Sequence, residues 1–157
     1  MDDALTSDHT VDFLETAANC SLFHRISARM TAELCENGHD KPEGSLTPDD
    51  LQHAHAIFAC RELSILGMIV VRFQADPELA TLHRLWIVPS ARRSGIGRAL
   101  MLHAKRFVAG KGGRTIAFDT GLDLAPAVAL YRSLDYKENP FLERSPRSRL
   151  FRKSLAD

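Results

Sequence analysis

A short basic turn with two glycines separates a strand-like part of the chain from a helix-like part. The turn, residues 92–97 (RRSGIG), follows an apolar segment that ends at Pro89, and the sequence predicts a helix from Gly97 onward. Glycine lets an anion approach the backbone closely, and the first N–H groups of a helix have no partner within the helix. Flanking arginines add positive charge. The pattern therefore favours a phosphate-binding turn, and the alternative is a plain turn with solvated arginines.

Length and composition are those of one globular domain: 157 residues, 45% hydrophobic and 25% charged. Lys+Arg and Asp+Glu are equal at 20 each, so nothing in the charge balance favours nucleic acid or a membrane surface, and a small molecule or peptide is the expected partner. Cys20, Cys35 and Cys60 form no Cys-x-x-Cys pair, which favours a reducing compartment and no metal site. No leader or spanning pattern is visible, so we expect a cytoplasmic location.

The first half of the chain predicts helices followed by strands. Apolar residues from Val11 to Leu34 recur every three or four positions, which predicts one long helix or two short ones ending near Asn37. Thr47 and Pro48, followed by two aspartates, predict the start of a short helix. Three apolar segments then predict an antiparallel meander; they are residues 54–61, 66–73 and 80–88.

The second half alternates helices and strands. A helix after the basic turn should end at the glycine-rich residues 110–113, and a strand should follow at 115–119. A second helix is predicted at 126–134, and a final strand pair at 136–142 and 149–153. This order also occurs in dinucleotide-binding folds, but Leu100 stands where their third small residue is required.

Two segments resemble the GNAT acyltransferases. Residues 82–89 (LHRLWIVP) with the basic turn are similar to that family's motif A, R/Q-x-x-G-x-G/A, and residues 127–136 (AVALYRSLDY) are similar to its A-x-x-L-Y-x-x-L-G-F segment. The resemblance covers about residues 80–137. It implies an α/β (α+β) fold: a mixed, mostly antiparallel sheet with a splayed central parallel pair and helices on both faces. It also implies a single domain spanning 1–157, with an acceptor-side helical region at about 8–53, a CoA-binding core at about 54–137 and a C-terminal strand pair at about 136–154.

The resemblance implies acetyl-CoA as co-substrate and no metal. The strands around Leu85 and Phe118 would separate and admit the pantetheine arm, and an N–H near Ile87 would stabilise charge that develops on the thioester carbonyl. The strand residues expected to pair with pantetheine are Leu85, Trp86 and Ile87. The residues expected to hold the pyrophosphate are Arg92, Arg93, Ser94, Gly95, Ile96, Gly97 and Arg98.

The catalytic residues follow from the same resemblance, with one departure. Tyr131 occupies the position of the family's acid, and a phenol can protonate a departing thiolate. Thr81 stands where many members place a glutamate base, which leaves His83, Asp119 or a water chain as candidates for the base. Strict strand alternation would put Thr81, His83, Leu85 and Ile87 on one face and Trp86 on the other.

Two further departures lie near the second segment. Leu124 replaces an asparagine that often binds the CoA arm, and Asp135 replaces a glycine in a left-handed position that aspartate tolerates. The resemblance implies an N-acetyltransferase acting directly on the amine of a small molecule or peptide. The alternative is a non-catalytic acyl-CoA-binding or sensor module. No pattern identifies the acceptor amine, and a homodimer is an open alternative to a monomer.

Overall fold

One mixed sheet organises the part of the chain that the structure, a computed structural model, describes: residues 10–36, 46–121, 125–138 and 148–155. The sheet has seven strands in the order β1-β2-β3-β4-β5-β7-β6. The strands are β1 Asp12–Ala17, β2 Ala54–Arg61, β3 Ser64–Phe73, β4 Leu79–Ile87, β5 Thr115–Gly121, β6 Lys137–Glu138 and β7 Ser148–Ser154. The described helices are α1 Ser21–Glu36, α2 Pro48–Gln52, α3 Ile96–Gly110 and α4 Ala125–Ser133, with a 3₁₀ turn at Pro89–Ala91.

The predicted three-strand meander is confirmed, because β2, β3 and β4 pair antiparallel in sequence order. β1 adds a further antiparallel strand at the edge of β2. The middle of β3 is buried from Leu66 to Val71 and β2 from Ala56 to Ala59, since helices cover both faces of these strands. Thr47 and Asp50 form a reciprocal capping box that begins α2 at the predicted proline.

The predicted helix from Val11 is wrong over its first part. Residues 12–17 form a strand that pairs with β2, from Asp12 opposite Cys60 to Ala17 opposite His55. A six-residue apolar pattern fits a helix or a strand, and pairing with the edge of β2 selects the strand. The helical part of the prediction is confirmed from Ser21 to Glu36.

Two apolar layers separate the faces of the sheet. One layer joins α3 and α4 to residues such as Ile69 and Leu82, and we call this the α3/α4 face. The other joins α1 and α2 to residues such as Val70 and Trp86, and we call this the α1 face. Helices therefore lie on both faces, as expected.

A β-bulge in β4 changes which face its side chains occupy. His83 pairs with Val70 but Trp86 pairs with Met68, so three steps along β4 match two steps along β3. Arg84, inside the bulge, has a positive φ of 58°. Leu82 accordingly lies on the α3/α4 face and Trp86 on the α1 face.

The bulge makes the predicted alternation wrong beyond His83. Leu85 and Ile87 pack against the α3/α4 layer, whereas His83 lies opposite Val70 on the α1 face. Trp86 shares the face of His83 instead of opposing it. Its predicted role under a helix is confirmed, since it is 7% exposed and packs in the layer beneath α1.

The parallel pair is confirmed and it is splayed. β4 and β5 pair only from Leu79 opposite Thr115 to Thr81 opposite Ala117. Both strands continue, β4 to Ile87 and β5 to Gly121, with no further pairing between them in the described residues. A gap therefore opens between β4 and β5 beyond Thr81 and Ala117, in the direction in which β4 runs to the basic turn.

Candidate active site

The basic turn lies at the open end of the gap and begins α3. Gly95 is the N-cap and has a φ of 85°. Because glycine has no side chain, it cannot cap the helix with a side-chain hydrogen bond. The first helical hydrogen bond runs from the Ala99 N–H to the Gly95 carbonyl. The N–H groups of the first turn consequently have no helical acceptor. A Cβ placed on Gly95 would meet nothing within 4 Å, so the space beside this residue is open. This is a geometry that suits an anionic ligand.

The arginines of the turn differ in what their side chains contact. Arg92 donates from Nε to the Ile87 carbonyl at 3.0 Å and forms an ion pair with Glu33 at 2.5 Å. Arg93 is exposed and has a positive φ of 62°. Ser94 donates its hydroxyl to the Ala91 carbonyl, which holds the turn closed. The side chain of Arg92 is thus committed to protein groups, and that of Arg93 reaches solvent.

Glu33 is a residue that the sequence patterns do not single out. Its Oε1 accepts from the indole N–H of Trp86 at 3.4 Å as well as from Arg92. The guanidinium of Arg29 lies 5.4 Å from the centroid of the Trp86 ring. These contacts join residues 53 and 59 positions apart, so no local spacing signals them.

The start of α3 approaches α4 closely at Gly97. A Cβ there would lie 3.4 Å from Leu130 Cδ2, an ordinary contact that leaves little spare room. Arg98 Nη1 lies 3.4 Å from the Ser133 hydroxyl oxygen, and that hydroxyl donates to the Leu130 carbonyl. The start of α3 is therefore held against α4 by backbone proximity and by these two polar contacts.

Tyr131 lies on the α3/α4 face in an aromatic cluster. It is 6% exposed and packs edge-on against Phe118, with ring centroids 4.5 Å apart. Tyr136 contacts the same Phe118 ring at 5.1 Å. Asp135 has φ 66°, and Tyr136 N–H donates to the Tyr131 carbonyl, so aspartate does occupy the left-handed position that ends α4.

The two tyrosines differ in their polar surroundings. The buried Tyr136 hydroxyl has no hydrogen-bond partner among the described residues. Its burial, together with the nearby Tyr131, raises the pKa of Tyr136 to about 12. Tyr136 therefore stays protonated at physiological pH.

The candidate bases lie on the α1 face, across the sheet from Tyr131. Thr81 is the last β4 residue paired with β5, opposite Ala117. His83 and Asp119 are each two residues further along their strands, so they lie on the same face as that pair, on the two sides of the gap. The structure thus places His83 and Asp119 on the same face of the sheet and Tyr131 on the opposite face.

Several polar side chains lie near His83 in the sheet. Thr81 Oγ1 lies 2.8 Å from His83 Nε2 and accepts from Gln74 Nε2 at 2.7 Å. Arg72, which pairs with Thr81 in the sheet, forms an ion pair with Asp50 at 2.9 Å. The pKa of Asp50 is lowered, first by the hydrogen bond from the Thr47 N–H and also by Arg72 and His83.

Three further sequence predictions concern Leu124, a metal ion and a membrane-spanning segment. Leu124 lies outside the described residues. In the described ranges, no group of three or more His, Cys, Asp or Glu side chains is arranged to hold a metal ion. A search of the same ranges for a helix long and apolar enough to span a bilayer found none.

The fold and site define a class: a mixed sheet with a split parallel pair, an uncapped glycine turn at the split and a tyrosine-bearing helix beside it. Comparison with protein families identifies the class, since the family model for the acetyltransferase (GNAT) family matches residues 21–136. The chain belongs to the GNAT acetyltransferase family and is an acyltransferase. No curated protein matches it significantly.

Solved structures share the fold at low sequence identity. One is described as a putative acyl-CoA N-acyltransferase from Klebsiella pneumoniae, with TM-score 0.77, 18% identity and coverage of 94% of this chain and 99% of that chain. Another is an aminoglycoside 6'-N-acetyltransferase complexed with coenzyme A, with TM-score 0.70, 16% identity and coverage of 93% and 98%. A third is the ribosomal-protein-S18-alanine N-acetyltransferase from Escherichia coli, with TM-score 0.67, 14% identity and coverage of 94% and 96%.

Proposed function

We propose that this protein is an N-acetyltransferase that moves the acetyl group of acetyl-CoA directly to an amine of a small molecule or peptide. The observation that carries the proposal is the gap between β4 and β5, which leads to the uncapped start of α3. Family membership supports acetyl-CoA as the donor, and a structural neighbour is described in complex with coenzyme A.

The residues along the gap fit this donor. Unpaired strand edges on both sides offer N–H and C=O groups to the amides of pantetheine. On the β4 side these edges belong to Leu85, Trp86 and Ile87, although the Ile87 carbonyl already accepts from Arg92. The amides of Ile96 and Gly97, with the side chains of Arg93 and Arg98, would hold the pyrophosphate. Acetyl-CoA, when bound, supplies the activated acetyl group and the thiolate leaving group.

We assign the two proton transfers to opposite faces of the sheet. Tyr131, on the α3/α4 face, would donate its phenolic proton to the leaving sulfur. His83 or Asp119, or a water held by them, would take the proton from the attacking amine on the α1 face. The acceptor would then enter beneath α1 and α2, and the donor would reach it through the gap.

A non-catalytic acyl-CoA-binding or sensor module is the second candidate. Thr81 in place of the glutamate of many relatives favours it, since no carboxylate stands at that position. Tyr131 beside the gap favours the enzyme, because a binding module needs no proton donor there.

An amine-panel screen tests the proposal. The full chain is incubated with acetyl-CoA and small amines, amino acids or peptides, with release of the CoA thiol and the mass of the product both measured. We expect one class of amine to gain an acetyl group with matching thiol release. Tight acetyl-CoA binding by calorimetry with no acetylated amine in a broad panel would favour the sensor module instead.

A further inference from the structure

Arg84 occupies a backbone position that does not favour a long side chain. It lies in the bulge of β4 with a φ of 58°, a left-handed conformation that glycine adopts without strain. Backbone strain at non-glycine residues clusters at binding and catalytic sites. We propose that Arg84 binds a carboxylate of the acceptor, so that the acceptor is an amino acid or another small amine with a carboxylate close to its amine. The amine part rests on the proposed function, whereas the carboxylate site does not.

The contacts of the Arg84 side chain use little of its hydrogen-bonding capacity. A guanidinium has five N–H groups and no acceptor. Among the described residues it donates to one group, from Nη1 to the Ser27 hydroxyl of α1 at 3.3 Å. Its Nε is covered by protein and has no hydrogen-bond partner there. Because the side chain is only partly buried, its Nη end is the part that a ligand beneath α1 reaches.

The charge of Arg84 is not balanced by a carboxylate of the described residues. Glu33 of α1 forms its ion pair with Arg92. Asp50 of α2 forms its ion pair with Arg72. Burial therefore lowers the pKa of the Arg84 guanidinium, and no ion pair in the described ranges opposes this effect. A cation that is partly removed from water in this way gains most from a bound anion, because the anion replaces the lost hydration.

The place of Arg84 in β4 fits an acceptor that carries both charges. It directly follows His83, a candidate base, so its backbone is one residue from the expected position of the amine. Asp119 lies on the same face across the gap, where a carboxylate attracts an ammonium group. An amino acid presents an ammonium group and a carboxylate only a few bonds apart.

A carboxylate suits Arg84 better than a phosphate does. The planar guanidinium can donate two parallel N–H···O bonds to a carboxylate. One guanidinium also balances the single charge of a carboxylate, whereas a phosphate ester carries nearly two charges at neutral pH.

Spectroscopy of the arginine side chains tests the carboxylate site without turnover. The full chain is labelled with ¹⁵N, and the Arg84 Nε–H signal is assigned by its loss in Arg84→Lys. N-acetyl derivatives of several amino acids are titrated with and without CoA, each against its amide, which has nearly the same size and no carboxylate. We expect the Arg84 signal to move with the acids and not with the amides. Equal responses to acid and amide, or no response to any acid, overturn the proposal.

Kinetics test whether Arg84 selects the acceptor. The measured quantity is kcat/KM for an amino acid divided by kcat/KM for its amide. Arg84→Gly should lower this ratio by about 10-fold or more, as loss of a charged hydrogen bond does. The variant should fold because glycine relieves the positive φ. The comparison between variants cancels the difference in amine basicity between acid and amide.

The matched control is Arg25→Ala, which removes the same charge from an exposed position on α1 and should leave the ratio unchanged. If circular dichroism shows that Arg84→Gly is unfolded, Arg84→Lys decides, because lysine keeps the charge but cannot form two parallel bonds. A ratio that is equal in the wild type and in the folded Arg84 variant overturns the selection of the acceptor by Arg84. Failure to acetylate any amine, with the Arg84 signal still moved by the acids, contradicts the proposed function and leaves the carboxylate site standing.

Discussion

Arg92 and Glu33 form an ion pair that joins the basic turn to α1. The same guanidinium donates to the carbonyl of Ile87, the last residue of β4, and Glu33 also accepts from Trp86. The basic turn, the bulged strand and the helix expected on the acceptor side are therefore linked through one carboxylate. This linkage gives Arg92 a structural task that its neighbour Arg93 does not share.

Replacing Arg92 should affect stability more than donor binding. Arg92→Ala removes the ion pair and the donor to Ile87, at a cost of about 1 kcal/mol because the pair is partly exposed. Arg93→Ala should leave stability nearly unchanged and weaken acetyl-CoA binding about 10-fold through loss of a charged hydrogen bond. Urea unfolding and calorimetry on both variants measure the two effects. A larger loss of affinity in Arg92→Ala than in Arg93→Ala would contradict this division.

A carboxylate placed at the N-cap of α3 should abolish acetyl-CoA binding. Gly95→Glu puts a negative charge at the start of the helix, where a side chain meets no other atom and would compete with the pyrophosphate for the first N–H groups. The positive φ of 85° adds strain that any side chain would meet. The matched control is Ala109→Glu, an exposed position at the far end of the same helix. Normal binding by Gly95→Glu in calorimetry would remove the pyrophosphate site at the start of α3 from the proposal.

Much of this architecture could be predicted because its signals are local. The capping box at Thr47, the glycine turn before α3 and the left-handed Asp135 each depend on residues within a few positions. Alternating and helical apolar patterns gave the three meander strands and both helices of the second half, to within about two residues. The turn where we place the donor pyrophosphate falls in this locally determined part.

The remaining features depend on contacts between distant residues. β1 is a strand because β2 offers it an edge, and nothing within residues 12–17 states this. The bulge at Arg84 places a non-glycine residue at φ 58°, a conformation that local propensity disfavours, and so the faces of Leu85 and Trp86 were predicted wrongly. The α1 face, where we place the acceptor, depends on such contacts at Trp86 and at Arg84, which is why its chemistry was less predictable.

The two tyrosines on Phe118 provide a matched pair for testing the acid. Tyr131→Phe should lower kcat by about 100-fold or more, as loss of a general acid does, with little change in acetyl-CoA affinity. Tyr136→Phe changes the same ring type in the same cluster and should leave kcat unchanged. Steady-state kinetics and donor binding on both variants decide the matter. Equal kcat in Tyr131→Phe and wild type would exclude Tyr131 as the acid.

Tyr136 should also make the fold sensitive to alkaline pH. Its pKa is raised from the ordinary 10 to about 12, first by burial and then by Tyr131. Between these two pKa values the unfolded chain releases the phenolic proton and the folded chain retains it. The contribution of Tyr136 to the free energy of unfolding is therefore fully present below pH 10 and is lost as the pH rises toward 12.

The variant Tyr136→Phe isolates this effect. At neutral pH it should gain about 1 kcal/mol, because a buried hydroxyl without a partner among the described residues is removed. From pH 9 to pH 11 it should lose about 1 kcal/mol less than the wild type, since other alkaline titrations are common to both proteins. Urea unfolding at the two pH values gives the comparison, and parallel losses in both proteins would show that the Tyr136 proton is not retained on folding.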